Sequence, residues 1–194
     1  ESIPDWMDEL AVKELGEIHG LELIEVEHQI THGGSMRYTL AHQGAKEVGE
    51  SVTNLLMKEK ALGLNTNQAY TEFSNNVDKI KDDLIALLLE LKEKGKKVVG
   101  YGATSKSTTV TNYFGITPDL VSAIYDTTPT KHNTFSPGAK IPVLPYEEFR
   151  DSDPDYVLLF AWNHAEEIME KEKDFVRDGR KWIVYVPEAK ILND

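Results

Sequence analysis

Hydrophobic residues in the second half of the chain fall into short runs that are separated by polar, helix-like segments. The runs predict β-strands at Lys97–Tyr101, Leu120–Tyr125, Ile141–Leu144, Tyr156–Phe160 and Trp182–Val186. Helices are expected at Ser105–Phe114, Pro145–Phe149 and Ala165–Arg177. Short apolar runs that alternate with helices are typical of a parallel sheet covered by helices on both faces. The pattern therefore predicts an α/β domain with a Rossmann-like parallel sheet over residues 96–194.

The first 45 residues have a different pattern, in which a helix precedes two strand-like runs. A helix is expected from about Asp5 to His19, and alternating apolar and polar residues predict strands at Leu21–Gln29 and Ser35–Gln43. The two strands together predict a β-hairpin. Because an isolated hairpin is only marginally stable in water, it is expected to join a larger sheet, either the later one or one upstream of Glu1.

Residues 46–95 are expected to form a helical connector. Gly63 and the cluster Asn65–Asn67 divide it into two helices, and the cluster is expected to cap the second. Apolar residues recur at three- and four-residue steps in that second helix: Phe73, Val77, Ile80, Leu84, Leu87, Leu88 and Leu91. Such a stripe is typical of core packing. A helix from Asn67 to Lys94 would be about 40 Å long, enough to link two domains.

Charge and composition restrict the possible partners. The 194 residues include 21 basic and 33 acidic side chains, a net charge of -12, which disfavours nucleic acid and anionic membranes. The sequence has no cysteine, no apolar run of about 18 residues and no signal-peptide pattern, so we expect a cytoplasmic protein with no metal site in this chain. An anionic ligand would need a local positive site.

The strand-turn-helix segment after Val98 is the strongest candidate for such a site. Its candidate binding residues are Gly102, Ala103, Thr104, Ser105, Lys106 and Ser107. Glycines allow a sharp turn and close approach of a ligand, and free N–H groups at a helix start favour an anion such as phosphate. The segment nearly fits both the dinucleotide motif G-x-G-x-x-G and the P-loop motif, but Ser105 stands where each requires a glycine. An ordinary turn and an NTPase therefore remain alternatives.

Further candidates follow two other strands, at the carboxyl edge where ligands bind in such sheets. Asp126 is expected either to accept a ribose hydroxyl or to cap a turn. Trp162 is a candidate for stacking on a base or sugar, and His164 for binding phosphate or transferring a proton. Asn163 is expected either to contact the ligand or to cap the next helix. The acidic run Glu166–Glu172 is interpreted as a solvated helix face.

The loop of the hairpin is a weaker candidate. His32, Gly33 and Gly34 allow close approach of a ligand, and a simple hairpin turn is the alternative.

Five blocks of sequence, taken together, resemble a known family. They are Thr31–Tyr38, Gly100–Ser107, Tyr125–Pro129, Ser136–Gly138 with Ile141–Val143, and Leu159–Ile168. In this order they resemble the C-terminal half of the nucleotide-sugar C-methyltransferases, in particular the TDP-4-keto-sugar C-3′-methyltransferases of antibiotic deoxysugar pathways. The resemblance extends from about Gly20 to Ile191.

The resemblance implies a division of labour. Residues 1–45 would form the end of an S-adenosylmethionine methyltransferase domain, and residues 46–95 would connect it to the C-terminal domain. That domain, residues 96–194, would bind a nucleotide-diphosphate sugar such as a TDP-sugar. S-adenosylmethionine and a zinc ion would be held upstream, and so would the catalytic base, which leaves no catalytic residue assigned in this chain. The substrate-binding residues implied are His32–Gly34, Gly102–Ser107, Asp126 and Trp162–His164. The chain would then be inactive alone; the alternative is a non-catalytic nucleotide-binding or protein-interaction module.

Overall fold

The computed structural model describes residues 9–30, 34–64, 66–177 and 179–192, and the chain divides into two compact units with the boundary between Asn76 and Val77. The boundary lies within a long helix, inside the segment that the sequence assigns to a connector. The three-part domain division remains a prediction. No helix in the described residues combines the length and the apolar character needed for a membrane span.

The first unit contains the predicted hairpin. Its elements are α1 (Glu9–Ile18), β1 (Leu21–Gln29), β2 (Ser35–His42), α2 (Glu50–Ala61) and the start of α3 (Asn67–Glu93). β1 and β2 pair in antiparallel fashion as a two-stranded sheet. Leu23, Val26 and Val52 form a small core between the hairpin and α2. Thr66 caps α3 as predicted, because its Oγ1 accepts a hydrogen bond from the backbone N–H of Ala69. The predicted first turn of α1 (residues 5–8) and both His32 and Gly33 lie outside the described residues.

The second unit contains the rest of α3 and a seven-stranded sheet. Its strands are β3 (Val98–Tyr101), β4 (Ile124–Asp126), β5 (Thr134–Phe135), β6 (Pro142–Pro145), β7 (Tyr156–Leu159), β8 (Lys181–Val184) and β9 (Lys190–Leu192). Its further helices are α4 (Ser105–Phe114), α5 (Ala165–Lys171) and α6 (Lys173–Arg177). The strand order is β5-β6-β4-β3-β7-β8-β9, in which the five central strands are parallel and the two edge strands antiparallel.

Alternation along the strands gives the sheet two buried faces. In β3, Val98 packs with Leu84 and Leu88 of α3, whereas Val99 packs on the opposite face with residues such as Phe149 and Phe175. Burial on both faces is what continuous apolar runs predict. The Rossmann-like sheet covered on both faces is therefore confirmed.

Some boundaries differ from the prediction. The strand expected from Leu120 begins only at Ile124, because the N–H groups of Leu120 and Val121 donate to the Thr117 carbonyl in a turn. The helix expected at Ala165–Arg177 is broken into α5 and α6 at Glu172, whose side chain is fully buried. The short edge strands β5 and β9 were not predicted, because two or three residues carry too little hydrophobic pattern.

The strand order positions the site. The chain starts the sheet at β3, adds β4 and β6 on one side, and then crosses to the other side for β7 and β8. In open sheets of this kind, ligands bind in the crevice that opens where the strand order reverses. Here that point lies between the carboxyl ends of β3 and β7.

Candidate functional site

The N-terminus of α4 provides open hydrogen-bond donors next to this crevice. Thr104 is the N-cap: its Oγ1 accepts from the Ser107 N–H at 3.1 Å, and the Ser107 hydroxyl donates back to the Thr104 carbonyl at 2.7 Å. Within the described residues, the backbone N–H groups of Ser105 and Lys106 meet no acceptor. Two unpaired N–H groups at the positive end of a helix can bind an anion.

The two glycines of this segment do different work. The backbone of Gly102 has a φ of 92°, which favours glycine, and a methyl group there would lie 3.0 Å from Cβ of Ala161. A methyl group on Gly100 would lie 2.6 Å from the Phe160 ring. Gly100 is therefore needed for packing of β3 against a buried phenylalanine, a contact that the sequence pattern did not predict.

Asp126 joins the turn after β3 to the turn after β4. Its Oδ2 accepts from the Ala103 N–H at 2.7 Å, its Oδ1 accepts from the Thr128 N–H at 2.8 Å, and Lys131 Nζ lies 3.2 Å from Oδ2. The side chain is 7% exposed. Burial opposes its ionisation, but the hydrogen bonds from Thr128 and the charge of Lys131 outweigh burial and lower the pKa of Asp126. The carboxylate is therefore ionised and engaged within the protein.

Two residues near this aspartate were given no role by the sequence analysis. Lys131 forms the ion pair just described and also lines the crevice. The Nε2–H of His132 donates to the Asp126 carbonyl at 2.8 Å. The Asx turn and a proline-containing 3₁₀ turn, Pro129–Lys131, bring both back towards the end of β4. In the sequence, the sign of this ion pair was the position of Lys131 five residues after Asp126, at the end of a predicted strand.

Lys106 brings the turn after β3 to the turn after β7. Its ammonium group donates to Asn163 Oδ1 at 3.1 Å and lies 5.7 Å from the centre of the Trp162 ring. The possible role of Asn163 as a helix cap is wrong, because neither the 3₁₀ turn Trp162–His164 nor α5 has a side-chain cap and the Asn163 side chain binds Lys106 instead. Three predicted residues from two distant segments thus meet at one place.

Two adjacent cavities, each of about 390 Å³, open at this edge of the sheet. The first lies beyond β3, β4 and β7 and is lined by Tyr101, Gly102, Thr104, Asp126, Thr127, Thr128, Lys131, Ala161, His164, Glu167, Ile168 and Lys171. The second is lined by residues 162–167. His164 and Glu167 line both cavities.

Gly34, the described member of the hairpin loop, precedes β2 in the first unit with a φ of 121°.

One face of α5 forms a wall of the first cavity, which the sequence analysis did not find. His164, Glu167, Ile168 and Lys171 recur at steps of three and four residues and so project from the same side of the helix. His164 Nδ1 lies 3.7 Å from Glu167 Oε2. In the sequence, the only sign of this face was the three- and four-residue spacing of His164, Glu167, Ile168 and Lys171.

Glu172 shows that the acidic run is not simply a solvated face. Its carboxylate is fully buried, accepts from the hydroxyls of Tyr146 and Tyr101, and pairs with Arg150 at 3.1 Å. Burial and the hydrogen bond to Glu172 raise the pKa of Tyr146 to about 12. Burial first, and then the charge of Glu172, raise the pKa of Tyr101. This network anchors the end of α5 behind the cavity wall.

The described residues contain no group of three or more His, Asp or Glu side chains arranged to hold a metal ion. The protein has no cysteine. The side chains and backbone groups gathered at the site are N–H groups, lysines, an imidazole, an indole, an amide and carboxylates.

Fold and site together define a Rossmann-like α/β domain with open N–H donors of a helix start at the switch point of its sheet. Residues 30–187 match the family described as C-methyltransferase C-terminal domain, and the chain belongs to that family. The chain is also 33% identical over 180 residues to C-methyltransferase NovU from Streptomyces niveus. That alignment covers 92% of this chain and 43% of the relative, so the chain spans less than half of the relative's length. The resemblance to C-methyltransferases is thereby confirmed.

Proposed function

We propose that this chain is the substrate-binding C-terminal part of an S-adenosylmethionine-dependent C-methyltransferase that acts on a nucleotide-linked 4-keto-deoxysugar, with a TDP-sugar as the ligand. The observation that carries the proposal is the set of open donors at the start of α4. The N–H groups of Ser105 and Lys106 and the Lys106 ammonium group offer three donors to a diphosphate. The family assignment supports the transferase class.

The neighbouring side chains suit the rest of such a ligand. Trp162 would provide an aromatic surface for a base or sugar ring, and Asn163 would supply an amide once Lys106 turns to phosphate. His164 and Asn163 line the second cavity together with Trp162. With a net charge of -12, a local positive site is required for an anionic ligand to bind here.

The proposed reaction forms a carbon–carbon bond beside the keto group. A base would remove the proton from the carbon next to the 4-keto group, and the resulting enolate would take up the donor methyl group, leaving the electrons of the broken sulfur–methyl bond on the sulfur. S-adenosylmethionine supplies that electrophilic methyl group. We assign the donor, the base and the zinc ion of the family to a part of the enzyme upstream of this chain. The residues of this chain would hold and orient the sugar nucleotide, which contributes through proximity.

Calorimetric titration of the chain with TDP and with TDP-glucose tests the proposal directly. We expect both to bind, and Lys106→Ala to weaken both by about tenfold or more, because charge-assisted hydrogen bonds to the diphosphate are lost. Lys58→Ala, which removes an exposed lysine from α2, controls for the change in net charge. Absence of binding to the folded wild-type chain would overturn the proposal.

A methyl-transfer assay tests the division of labour. With labelled S-adenosylmethionine and a TDP-4-keto-sugar, the chain alone is expected to transfer no label, in keeping with a binding role. Transfer by the isolated chain would contradict the assignment of donor and base to an upstream part. Binding of proteins but of no nucleotide would favour an interaction module. The proposal keeps the cytoplasmic location expected from the sequence.

A further inference from the structure

The position that usually recognises a sugar hydroxyl in dinucleotide-binding folds is already engaged in this protein. That position is the acid at the end of the second strand, here Asp126. Both of its oxygens accept hydrogen bonds from protein donors, namely the N–H groups of Ala103 and Thr128 and the Lys131 ammonium group. With 7% of its surface exposed, Asp126 holds two turns together and has little capacity for a ligand.

A different carboxylate is available in the same crevice. Glu167 projects from α5, lines both cavities and has a side chain that is 84% exposed. Among the residues that the structure describes, none donates a hydrogen bond to it; the nearest partner, His164 Nδ1, is 3.7 Å away. An ionised carboxylate offers about four acceptor sites, and the imidazole beside it offers a donor or an acceptor.

The charge of Glu167 restricts what it can bind. A carboxylate repels a diphosphate and accepts hydrogen bonds well from hydroxyl groups. Two lysines that line the first cavity are already engaged within the protein: Lys131 pairs with Asp126, and the Lys171 ammonium group lies 3.8 Å from the centre of the Tyr146 ring. Lys106 lies at the start of α4, where it contacts Asn163. Glu167 and Lys106 therefore present opposite charges at this edge of the sheet, one suited to a neutral group that donates hydrogen bonds and the other to an anion.

We propose that Glu167, assisted by His164, is the hydroxyl-recognising residue of this site and directs the hydroxyl-bearing ring of the ligand along α5, while the diphosphate lies at the start of α4. This inference rests on the proposed function and adds the orientation of the ligand. It assigns specificity to a residue that sequence reasoning placed on a solvated face.

Two probes and two variants test the orientation. Calorimetry with TDP-glucose and with inorganic pyrophosphate is performed on the wild-type chain, on Glu167→Gln and on Glu170→Gln. Glu170 lies on the same helix outside both cavities, where it pairs with Lys173 at 2.9 Å, so its replacement removes the same charge. Unchanged circular dichroism confirms that each variant is folded.

Glu167→Gln is expected to lower the affinity for TDP-glucose by about tenfold, because a carboxylate acceptor is lost. Its affinity for pyrophosphate should stay the same or rise, because one negative charge is removed. Glu167→Asp keeps the charge on a shorter side chain, and its affinity for TDP-glucose should lie between those of Glu167→Gln and the wild-type chain. Glu170→Gln should change neither affinity more than about twofold. If Glu167→Gln binds TDP-glucose as well as the wild-type chain does, or weakens both probes equally, the orientation is wrong and the proposed function stands. If the wild-type chain binds neither probe, both are wrong.

Discussion

The two walls of the crevice are built in opposite ways. On one wall, Asp126 fastens the turn after β3 to the turn after β4 through a buried carboxylate that is shared among backbone and lysine donors. On the other wall, α5 presents Glu167 and His164 to the cavities with no hydrogen bond between them. Each wall carries one carboxylate side chain, and the two differ in burial: Asp126 is almost fully buried, whereas Glu167 is exposed.

This difference shows which wall must be rigid. Backbone N–H groups, such as those of Ser105 and Lys106 at the start of α4, can bind an anion only when the backbone is held in a fixed position, because these donors cannot rotate to follow the ligand. A wall that recognises hydroxyl groups can use flexible side chains, since each can rotate to a partner. The fixed wall therefore depends on buried contacts of its carboxylate. In α5, the residues Ala165, Ile168 and Met169 pack against the core and Glu172 anchors the far end, whereas Glu167 is exposed.

The largest effect should come from removing the carboxylate of the fixed wall. Asp126→Ala leaves the N–H groups of Ala103 and Thr128 without their acceptor and is expected to lower the free energy of unfolding by about 2–4 kcal/mol. Glu167→Ala on the open wall should change it by less than about 0.5 kcal/mol. Urea denaturation followed by circular dichroism measures both. Similar losses for the two variants would abolish the contrast between the walls.

A somewhat smaller effect on stability is expected where β3, which leads into the fixed wall, packs against the residue that follows β7. Gly100→Ala introduces a methyl group 2.6 Å from the Phe160 ring and should cost about 1–3 kcal/mol of stability. Phe160→Leu removes the ring and should relieve the clash, so the double variant should be more stable than the sum of the single losses. Thermal unfolding of the four proteins of this cycle measures the coupling. Strict additivity would show that the glycine is required for another reason.

These contacts also show which parts of the molecule could be predicted from sequence. The bounds of α4, Ser105–Phe114, were predicted correctly because the signals are local: glycines before the helix, Thr104 as a cap and Gly115 after it. The sheet followed from apolar runs, and the meeting of Lys106 with Trp162 and Asn163 was foreseen only as proximity at one edge.

What could not be predicted depends on residues far apart in the chain. The partners of the buried Glu172 include Tyr101, which lies 71 positions earlier, and no local pattern distinguishes Glu172 from the exposed acids beside it. The same holds for Gly100, whose neighbour Phe160 follows β7 and lies 60 positions later. The position of Glu167 at the cavity likewise depends on where α5 ends and on which face of α5 lies against the cavity, and tertiary contacts set both.

A smaller effect on stability is expected from the Thr104 cap at the start of α4, where the N–H groups of Ser105 and Lys106 are proposed to bind the diphosphate. Thr104→Ala removes the acceptor of the Ser107 N–H and should lower stability by about 1 kcal/mol. The additional free N–H changes the donors at the start of α4, so binding of pyrophosphate should change as well. Thr104→Ser keeps the hydroxyl and is the matched control, expected to retain both properties. Equal behaviour of the alanine and serine variants in chemical denaturation would argue against capping by this hydroxyl.

The smallest effect lies in the response of the fixed wall to acid. The pKa of Asp126 is lowered in the folded protein, below a value of about 3.9 in the unfolded chain. The stability that its ionised form contributes is therefore fully present above about pH 4 and is lost as the pH falls through the lowered folded pKa. The difference in free energy of unfolding between wild type and Asp126→Asn should stay constant from pH 7 to pH 5 and shrink by less than about 1 kcal/mol towards pH 3. Urea denaturation at each pH measures this difference, and Glu167→Gln controls for the loss of one acidic side chain from the open wall. A difference that stays constant down to pH 3 would mean that the carboxylate does not titrate as an engaged group, and the fixed wall would then resemble the open one.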